Sequence, residues 1–504
     1  MADVFKGSLT APTVLDRVVG WVSPRAGIQR FYARQMLTRA YAAALPGDGW
    51  RPKRPGASAN AEHMASARIL RAKSRSLIEN VDYIASGMNA RVAHIVGTGI
   101  VPVWRGRDAE IIDRLWKRWI KVADADGLRD LYGIQAAAVR AMDADGEVLI
   151  RIRARLPSDG LPVPMQLQLI EVDRLDTSKS TASGQNTIIQ GIEYDPLGRV
   201  VAYHIWNQHP GDIGPLRARG MQSTRVGAEE IIHLFNPGRP GQGRGFPRLS
   251  PVINRARDLQ LLEDAELARK NLEGRLSVLA SGDIAGMADG GQFEAPGDGK
   301  APAGSLGELA SGGITQIPAG MNLTVVEPKA APGFVDYCKY NIHMVCAGGG
   351  FTYEQATGDM KEVNFSSARV RMLDFRREIE QLQWLTVVPV LCDRICQEFV
   401  AYAALAGLLP ARPDWTVEQS TPKWDYVNPA QDISADLAEI AGGLSSFSEK
   451  LRRRGYDPKA VFDELEKDIK DLQGRGIWDS LVMLLKGKQT AADAQGDGGN
   501  KPSP

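Results

Sequence analysis

The stretch whose reading decides the fold is Phe351-Thr-Tyr-Glu-Gln-Ala-Thr-Gly-Asp-Met-Lys-Glu-Val-Asn-Phe-Ser-Ser-Ala-Arg369. It lies between two segments of helical period. Upstream, residues 333–347 carry Phe334, Val335, Tyr337, Cys338, Ile342, Val345 and Cys346 at three-to-four-residue spacing, and Gly348-Gly349-Gly350 stops the pattern. Downstream, Ser366 or Ser367 is placed to cap a helix running to about Ala406. Pro389 lacks a backbone donor and is expected to kink it. The residues between are expected to protrude as a loop. Loops of that length between packed helices are uncommon and are usually functional or disordered.

Working outward, a helix of about 28 residues, about 42 Å at 1.5 Å per residue, is expected from Ser250. Leu261, Ala265, Ala268, Leu272, Leu276 and Leu279 form its apolar stripe. Its other faces carry Arg255, Arg257, Arg269, Lys270 and Arg275 against Asp258, Glu263, Asp264, Glu266 and Glu273, which balance. So narrow a stripe on so charged a helix suits packing against neighbours around a ring. Between it and residue 333, Gly, Ala, Pro and Asp dominate, with β-like pieces at 314–317 and 323–326.

Nearer the N-terminus, residues 61–96 read as one helical block, with Arg71, Lys73 and Arg75 on its polar side, and residues 110–123 and 128–143 as helices. The period then changes to two. Residues 147–155, 165–170, 191–194, 199–206 and 231–235 alternate or run β-branched, with turn signals at Asp145-Gly146 and at Asp195-Pro-Leu-Gly198. The first sixty residues mix helical patches at 13–22 and 28–44 with a polar, Pro- and Gly-rich link, and read as an adaptable arm. Residues 435–472 give two or three short helices. The fold class is α+β.

With 504 residues, 43% hydrophobic and 24% charged, the chain is long enough for two to four domains or subdomains. Sixty-one basic against sixty acidic residues leave a net charge of +1, so there is no overall excess of the kind that condenses nucleic acid. Four cysteines and no charged-then-apolar leader point to a reducing cytoplasm. No apolar run reaches eighteen residues, so no membrane span is expected.

Chemistry-bearing patterns are few. Cys392 and Cys396 stand i, i+4, and Cys338, His343 and Cys346 lie together, but they sit among Val, Leu and Ile without a Cys-x-x-Cys knuckle, and buried structural cysteine is the better reading. Asp143-Ala-Asp145-Gly146-Glu147 lacks the third ligand and the terminal bidentate Glu of a calcium loop and reads as a helix-to-strand turn. Gly97-Thr-Gly99 and residues 238–245 lack the Gly-Lys-Ser/Thr of a phosphate loop and read as turns. There is no Gly-x-Ser-x-Gly elbow and no His-Glu-x-x-His. No catalytic residue, metal ligand or cofactor is assigned. Arg452-Arg453-Arg454 before Gly455 reads as a solvated helix end rather than a phosphate contact.

Tyr353-Glu354, Asp359, Val363-Asn364-Phe365-Ser366-Ser367 and Arg369 closely resemble the signature of the lambda-type portal proteins of tailed bacteriophages. Further motifs resemble that family in the same order: Lys73-Ser74-Arg75 and Asn80; Val96-Gly97-Thr98-Gly99-Ile100; Arg239-Pro240-Gly241-Gln242 with Arg244-Gly245 and Pro247; and Pro422-Lys423-Trp424 with Asn428-Pro429 and Asp432, Asn428 being a departure. The resemblance spans about residues 30 to 470. It implies a portal fold: 1–60 N-terminal arm, 61–249 wing, 250–280 first stem helix, 281–332 clip, 333–348 second stem helix, 349–366 tunnel loop, 367–430 long wing helix and return segment, 431–488 helical crown, and 489–504 disordered tail.

The resemblance further implies a protein without catalytic activity that closes into a dodecameric ring at one vertex of the procapsid. DNA enters through the ring, driven by the terminase large subunit, and leaves through it on infection. The major capsid protein and a head-completion or adaptor protein are the other implied partners; the implied location is the virion, after assembly in the host cytoplasm. Tyr353, Glu354, Asp359, Lys361, Glu362 and Asn364 would be the DNA-facing residues of the tunnel loop. Glu354, Asp359 and Glu362 against Lys361 leave that loop at −2 per copy. Two other readings compete. A packaging nuclease or ATPase would need a nucleotide loop or a carboxylate cluster for metal, and a capsid shell protein would form closed shells or hexamers.

Overall fold

The computed structural model describes residues 21, 23, 56–212, 221–274, 278–281, 322–325, 333–361, 365–422, 424, 429–453, 456 and 458–483. The chain divides into a unit Met1–Ser58 and a unit Ala59–Pro504. The arm patches at 13–22 and 28–44, apart from Trp21, and the tail at 489–504 lie outside the described residues. Every element named below belongs to the second unit.

The expected single helical block is two helices, α1 (Ala59–Asn80) and α2 (Asp82–Val96). They part at Val81, which is buried and extended (φ −115°, ψ 108°), so the second helix starts at Asp82. At the end of α2 the chain turns through Gly97 and Gly99 (φ 54° and 130°) into β1 (Val101–Arg105); a Cβ on Gly99 would stand 2.3 Å from the Tyr132 ring. Then come α3 (Ala109–Trp119) and α4 (Leu131–Asp145), the latter capped by Asp130, whose carboxylate accepts from Gly133 N–H at 2.7 Å. Gln135 of α4 holds the Gly-x-Gly turn by bonding both the N–H and the C=O of Ile100.

Gly146 (φ 94°) ends α4 and the period-two region comes next as β2 (Glu147–Ala154), β3 (Met165–Ile170), β4 (Thr181–Ser183), β5 (Asn186–Ile189), β6 (Ile192–Tyr194), β7 (Val200–Trp206), β8 (Ser223–Gly227) and β9 (Ile231–Phe235). One antiparallel sheet has the order β3-β2-β9, the other is the five-stranded meander β4-β5-β6-β7-β8. Alternation sorts β2 between two cores. Val148, Ile150 and Ile152 face the larger one, which holds Trp104, Trp116, Trp119 and Phe399, while Leu149 packs with Ile170, Tyr203 and Ile231 against the meander. Trp119 is satisfied by donating its indole N–H to Met165 O at 2.7 Å.

The next helix, α5 (Ile253–Gly274), is 22 residues long and shorter than expected, because residues 278–281 turn into a strand. That strand, β10 (Val278–Ser281), pairs antiparallel with β11 (Asn322–Val325), so Leu279 lies on a strand. The expected stripe is also corrected. Ile253, Ala256 and Leu259 are the buried side of α5, whereas Leu261 is 51% exposed and Ala265 and Ala268 are exposed. The Leu272 side chain, Leu276 and the β-like piece at 314–317 lie outside the described residues.

After α6 (Phe334–Gly349) and a short α7 (Tyr353–Thr357), α8 runs from Phe365 to Leu382, two or three residues earlier than a cap at Ser366 or Ser367 would have started it. Pro389 does not interrupt the run. Gln383–Cys392 is a π-helix that carries the proline inside it and continues into α9 (Asp393–Leu405); the wider turn absorbs the missing donor. Finally β12 (Thr416–Ser420) returns to pair with β1 along its whole length, and the chain ends its described course in α10 (Pro429–Ala441), α11 (Phe447–Arg453) and α12 (Pro458–Gly474).

Candidate functional site

The turn after α6 is built from its floor upward. Gly350, with φ 77°, donates to Cys346 O at 2.9 Å and reverses the chain. Phe351 then folds inward, only 4% exposed, against Gly87 of α2 and Gly349. A Cβ at Gly87 would stand 2.3 Å from the Phe351 ring and one at Gly349 would stand 2.5 Å from it, so both positions have room for hydrogen alone. Burying that ring contributes about 1.5–3 kcal/mol. Next, Thr352 and Gln355 form a reciprocal capping box, Oγ1 accepting at 3.2 Å and Oε1 at 3.0 Å, which starts α7. Ser86 donates to Gln355 O at 2.9 Å and ties α7 to α2.

The expectation of a protruding loop from residue 351 is therefore corrected. Its first half is a packed helical turn with Phe351 and Ala356 in the core; among the described residues beyond it, Thr357, Gly358, Met360 and Lys361 are exposed and Asp359 is half-buried. Tyr353 stacks on His343 of α6 at 4.1 Å and donates its hydroxyl to Asp359 at 3.4 Å. Asp359 also accepts from the Lys361 N–H at 3.1 Å, and that bond holds its carboxyl below the usual range. Glu354 turns away from this group and pairs with Arg371 of α8, so a basic residue outside the loop offsets one of the negative charges counted in it. Glu362 and Asn364 lie outside the described residues. Of the six expected residues, Tyr353, Asp359 and Lys361 come together.

Below the turn sits a cluster that nothing in the sequence singles out. Arg91 of α2, 2% exposed, bonds Asp143 at 2.8 Å and Gly350 O at 2.9 Å and reaches Glu378 of α8 at 3.4 Å. Arg248 donates to Gly349 O at 3.2 Å and pairs with the same Glu378. Burial, then the nearby Arg91, lowers the Arg248 pKa. Two arginines and two carboxylates thus neutralise one another while clamping the carbonyls at the root of the turn. The turn is thereby anchored to α2 and α8 at its base.

A second charge cluster explains the remaining motifs. Ser74 donates to Ala144 O at 2.7 Å, and Arg75 grips Asp145 at 2.6 and 2.8 Å. Glu147 is fully buried and accepts from Arg244 at 2.7–2.9 Å, from His233 at 2.9 Å and from Gly245 N–H at 3.2 Å, with Arg71 at 3.4 Å and His63 at 3.5 Å. Burial alone would raise this carboxyl, but Arg244, then the two histidines, hold it well below the ordinary value. The three carboxylates of Asp143-Ala-Asp145-Gly146-Glu147 each serve a different arginine, so the segment is a turn and not a calcium loop. The Gly/Pro-rich stretch packs directly on it: a Cβ at Gly245 would stand 1.9 Å from Gly146 O. Likewise Trp424 stacks on His94 at 5.4 Å and lies under Arg376 at 5.1 Å.

All four cysteines are free and buried. Burial pushes Cys346 and Cys396 up to about 12 and Cys392 well above its ordinary value, so they are thiols packed in the core rather than thiolate ligands. Among the described residues the one group spaced for a cation is Glu171, Asp173 and His209, and Asp173 already carries Arg75 at 2.8 Å. Arg452 donates to Ser448 O within its own helix end; Arg454 and the Arg453 side chain lie outside the described residues.

Residues 47–383 match the family described as phage portal protein, lambda family. The chain is similar to a probable portal protein of Halomonas phage phiHAP-1, 26% identical over 380 residues that cover 73% of this chain and 71% of the relative. It is similar to portal protein B of Escherichia phage lambda, 19% identical over 484 residues, 85% of this chain and 88% of the relative. Among solved structures it is similar to a chain of the virion of a native gene transfer agent particle, with TM-score 0.43, 15% identity, 79% of this chain and 99% of that chain. Another is a chain of the neck of a native gene transfer agent particle, with TM-score 0.40, 16% identity, 76% of this chain and 94% of that one.

Proposed function

The chain belongs to the lambda family of phage portal proteins, and from that premise we propose that its copies close into a dodecameric ring through which double-stranded DNA is packaged and later ejected. It is a structural component of the phage portal and not an enzyme. The observation that carries the ring is the apolar surface left open on two charged helices. Leu261 and Leu267 on α5, and Val335, Tyr337 and Tyr340 on α6, are exposed in the single chain. A heterologous contact repeated around an axis covers such faces and closes. In this proposal α5 and α6 form the stem, residues 281–332 the clip, residues 61–249 with α8 and α9 the wing, and residues 431–488 the crown. The terminase large subunit, the major capsid protein and a head-completion or adaptor protein dock on the ring, which assembles in the host cytoplasm and stays in the virion.

The DNA-facing element is the segment after Gly358, with Asp359, Lys361, Glu362 and Asn364, backed by Tyr353 of α7 through its bond to Asp359. What supports this is its combination of a clamped root and an exposed end bearing Lys361. Its charge, made less negative by the Glu354–Arg371 pair, suits a weak contact, since a wall neutralising many phosphates would bind DNA with a steep salt dependence and stall it. Deleting 357–362 should leave rings intact and impair packaging or retention of DNA. Rings that fail to form, or full heads filled and held normally, would sink the assignment.

A further inference from the structure

On the face of β2 away from the tryptophan core, alternate residues run from buried Glu147 and Leu149 out to Arg151 and Arg153, and Arg155, just past the strand's end, continues the line with its N–H bonded to Pro164 O at 2.9 Å. The meander covers only the first half of that face. Arg151 is paired with Glu230 at 2.8 Å. The other two are held by amides: Arg153 donates twice to Gln168 at 2.6 and 3.0 Å, and Arg155 to Gln166 at 2.8 Å, each diagonal across the β2–β3 ladder. Beside them Arg174 donates only to the carbonyls of Trp206 and Asn207. Among the described residues none of Arg153, Arg155 and Arg174 has an ion-pair partner; Asp126 and Asp212 act on Arg174 from farther away. Burial, then Arg151, Arg155 and Arg174, pulls the Arg153 pKa down, with Glu230 opposing, as expected where cations outnumber the nearby carboxylates.

We propose that this arginine ladder is a docking surface for the phosphate backbone of duplex DNA, separate from the turn after α6. Neutral acceptors fix the guanidinium planes of Arg153, Arg155 and Arg174 without a direct ion pair, and the three cations outnumber Asp126 and Asp212 beside them, which suits an incoming anion. Alternate strand residues stand about 6.7 Å apart, so the ladder presents its guanidinium groups as a regular row. An acidic peptide adding as a strand is less suited: at Leu167 the β3 edge is already closed by hydrogen bonds with Ala123 and Ala125 at 2.7 and 2.8 Å. With a net charge of only +1 on the whole chain, any hold on DNA must be local of this kind.

The test is fluorescence anisotropy of a short labelled duplex with the full chain, across roughly 50 to 200 mM salt. Replacing Arg153, Arg155 and Arg174 by Gln should make the slope of log K against log salt shallower by about 0.9 for each guanidinium, about 2.7 in all. The Lys triple variant should keep it. Single Arg155→Gln, in case the triple does not fold, should lose about 0.9, and Arg199→Gln, on a surface residue paired with Asp195, should lose nothing. An unchanged slope in variants of normal assembled size overturns the proposal, as does loss of ring assembly, or loss of binding to polyglutamate but not to DNA. Contact through the turn after α6 would survive in the triple variant, so the two readings fail separately.

Discussion

Replacing Arg244 with Met tests whether the buried charge cluster holds the sheet, α1 and the Gly/Pro turn together. Glu147 is fully buried and takes its shortest bonds, 2.7–2.9 Å, from Arg244; what remains is His233 at 2.9 Å, Gly245 N–H at 3.2 Å, Arg71 at 3.4 Å and His63 at 3.5 Å. Removing one partner of a buried pair costs about 3–5 kcal/mol, because the other charge is stranded. That is roughly two to four powers of ten in the folded-to-unfolded ratio. The assay is urea unfolding of the dissociated subunit, monitored by the fluorescence of its ten tryptophans. Glu147→Met together with Arg244→Met should recover much of the loss, since Arg71 keeps Asp173 at 3.5 Å. The pH dependence has a definite sign: a carboxyl whose folded pKa is depressed contributes stability above its unfolded value of about 4.5 and loses it as pH falls through the lower folded value. The wild type should therefore weaken below about pH 4.5 and the double variant less so. A cost for Arg244→Met under about 1 kcal/mol, typical of an exposed pair, would refute the reasoning.

Gly87→Ala drives a methyl into the Phe351 ring and should cost about 1–3 kcal/mol by overpacking; proteolysis should then cut near Phe351 in native protein, and unchanged resistance would count against the Phe351 anchor. Ellman's reagent at pH 8 should find none of the four thiols in native protein and all four in denaturant, given their burial and raised pKa values; rapid native labelling of Cys392 or Cys396 would contradict their packing.

Much of the architecture was legible because strong local period and turn chemistry coincide with the fold. The strands 165–170 and 231–235 fall where alternation and β-branching put them, and α6 ends at the glycine run. The short strands β4, β5, β8 and β12 were not legible, since three to five residues carry too little pattern and β12 exists only through pairing with β1. Exposed Leu261 shows a different limit: helical period marks an apolar face, but not whether its partner is this chain or a neighbour. At the turn after α6, the Thr352-x-x-Gln355 capping box was present in the sequence and announces α7. Arg91, Arg248 and Glu378 carried no such mark. Their role comes from convergence of α2, the turn after β9 and α8, which no local pattern encodes.

The central claim is a ring with a channel, and mass photometry of the purified chain with negative-stain imaging tests it most directly. The account predicts a discrete species near twelve times the 54.8 kDa chain mass, seen end-on as a ring with a central hole, and partly dissociated when Leu261 and Leu267 on the open face of α5 are changed to Glu. A stable species at 54.8 kDa under all salt conditions, or closed shells in place of rings, would contradict it.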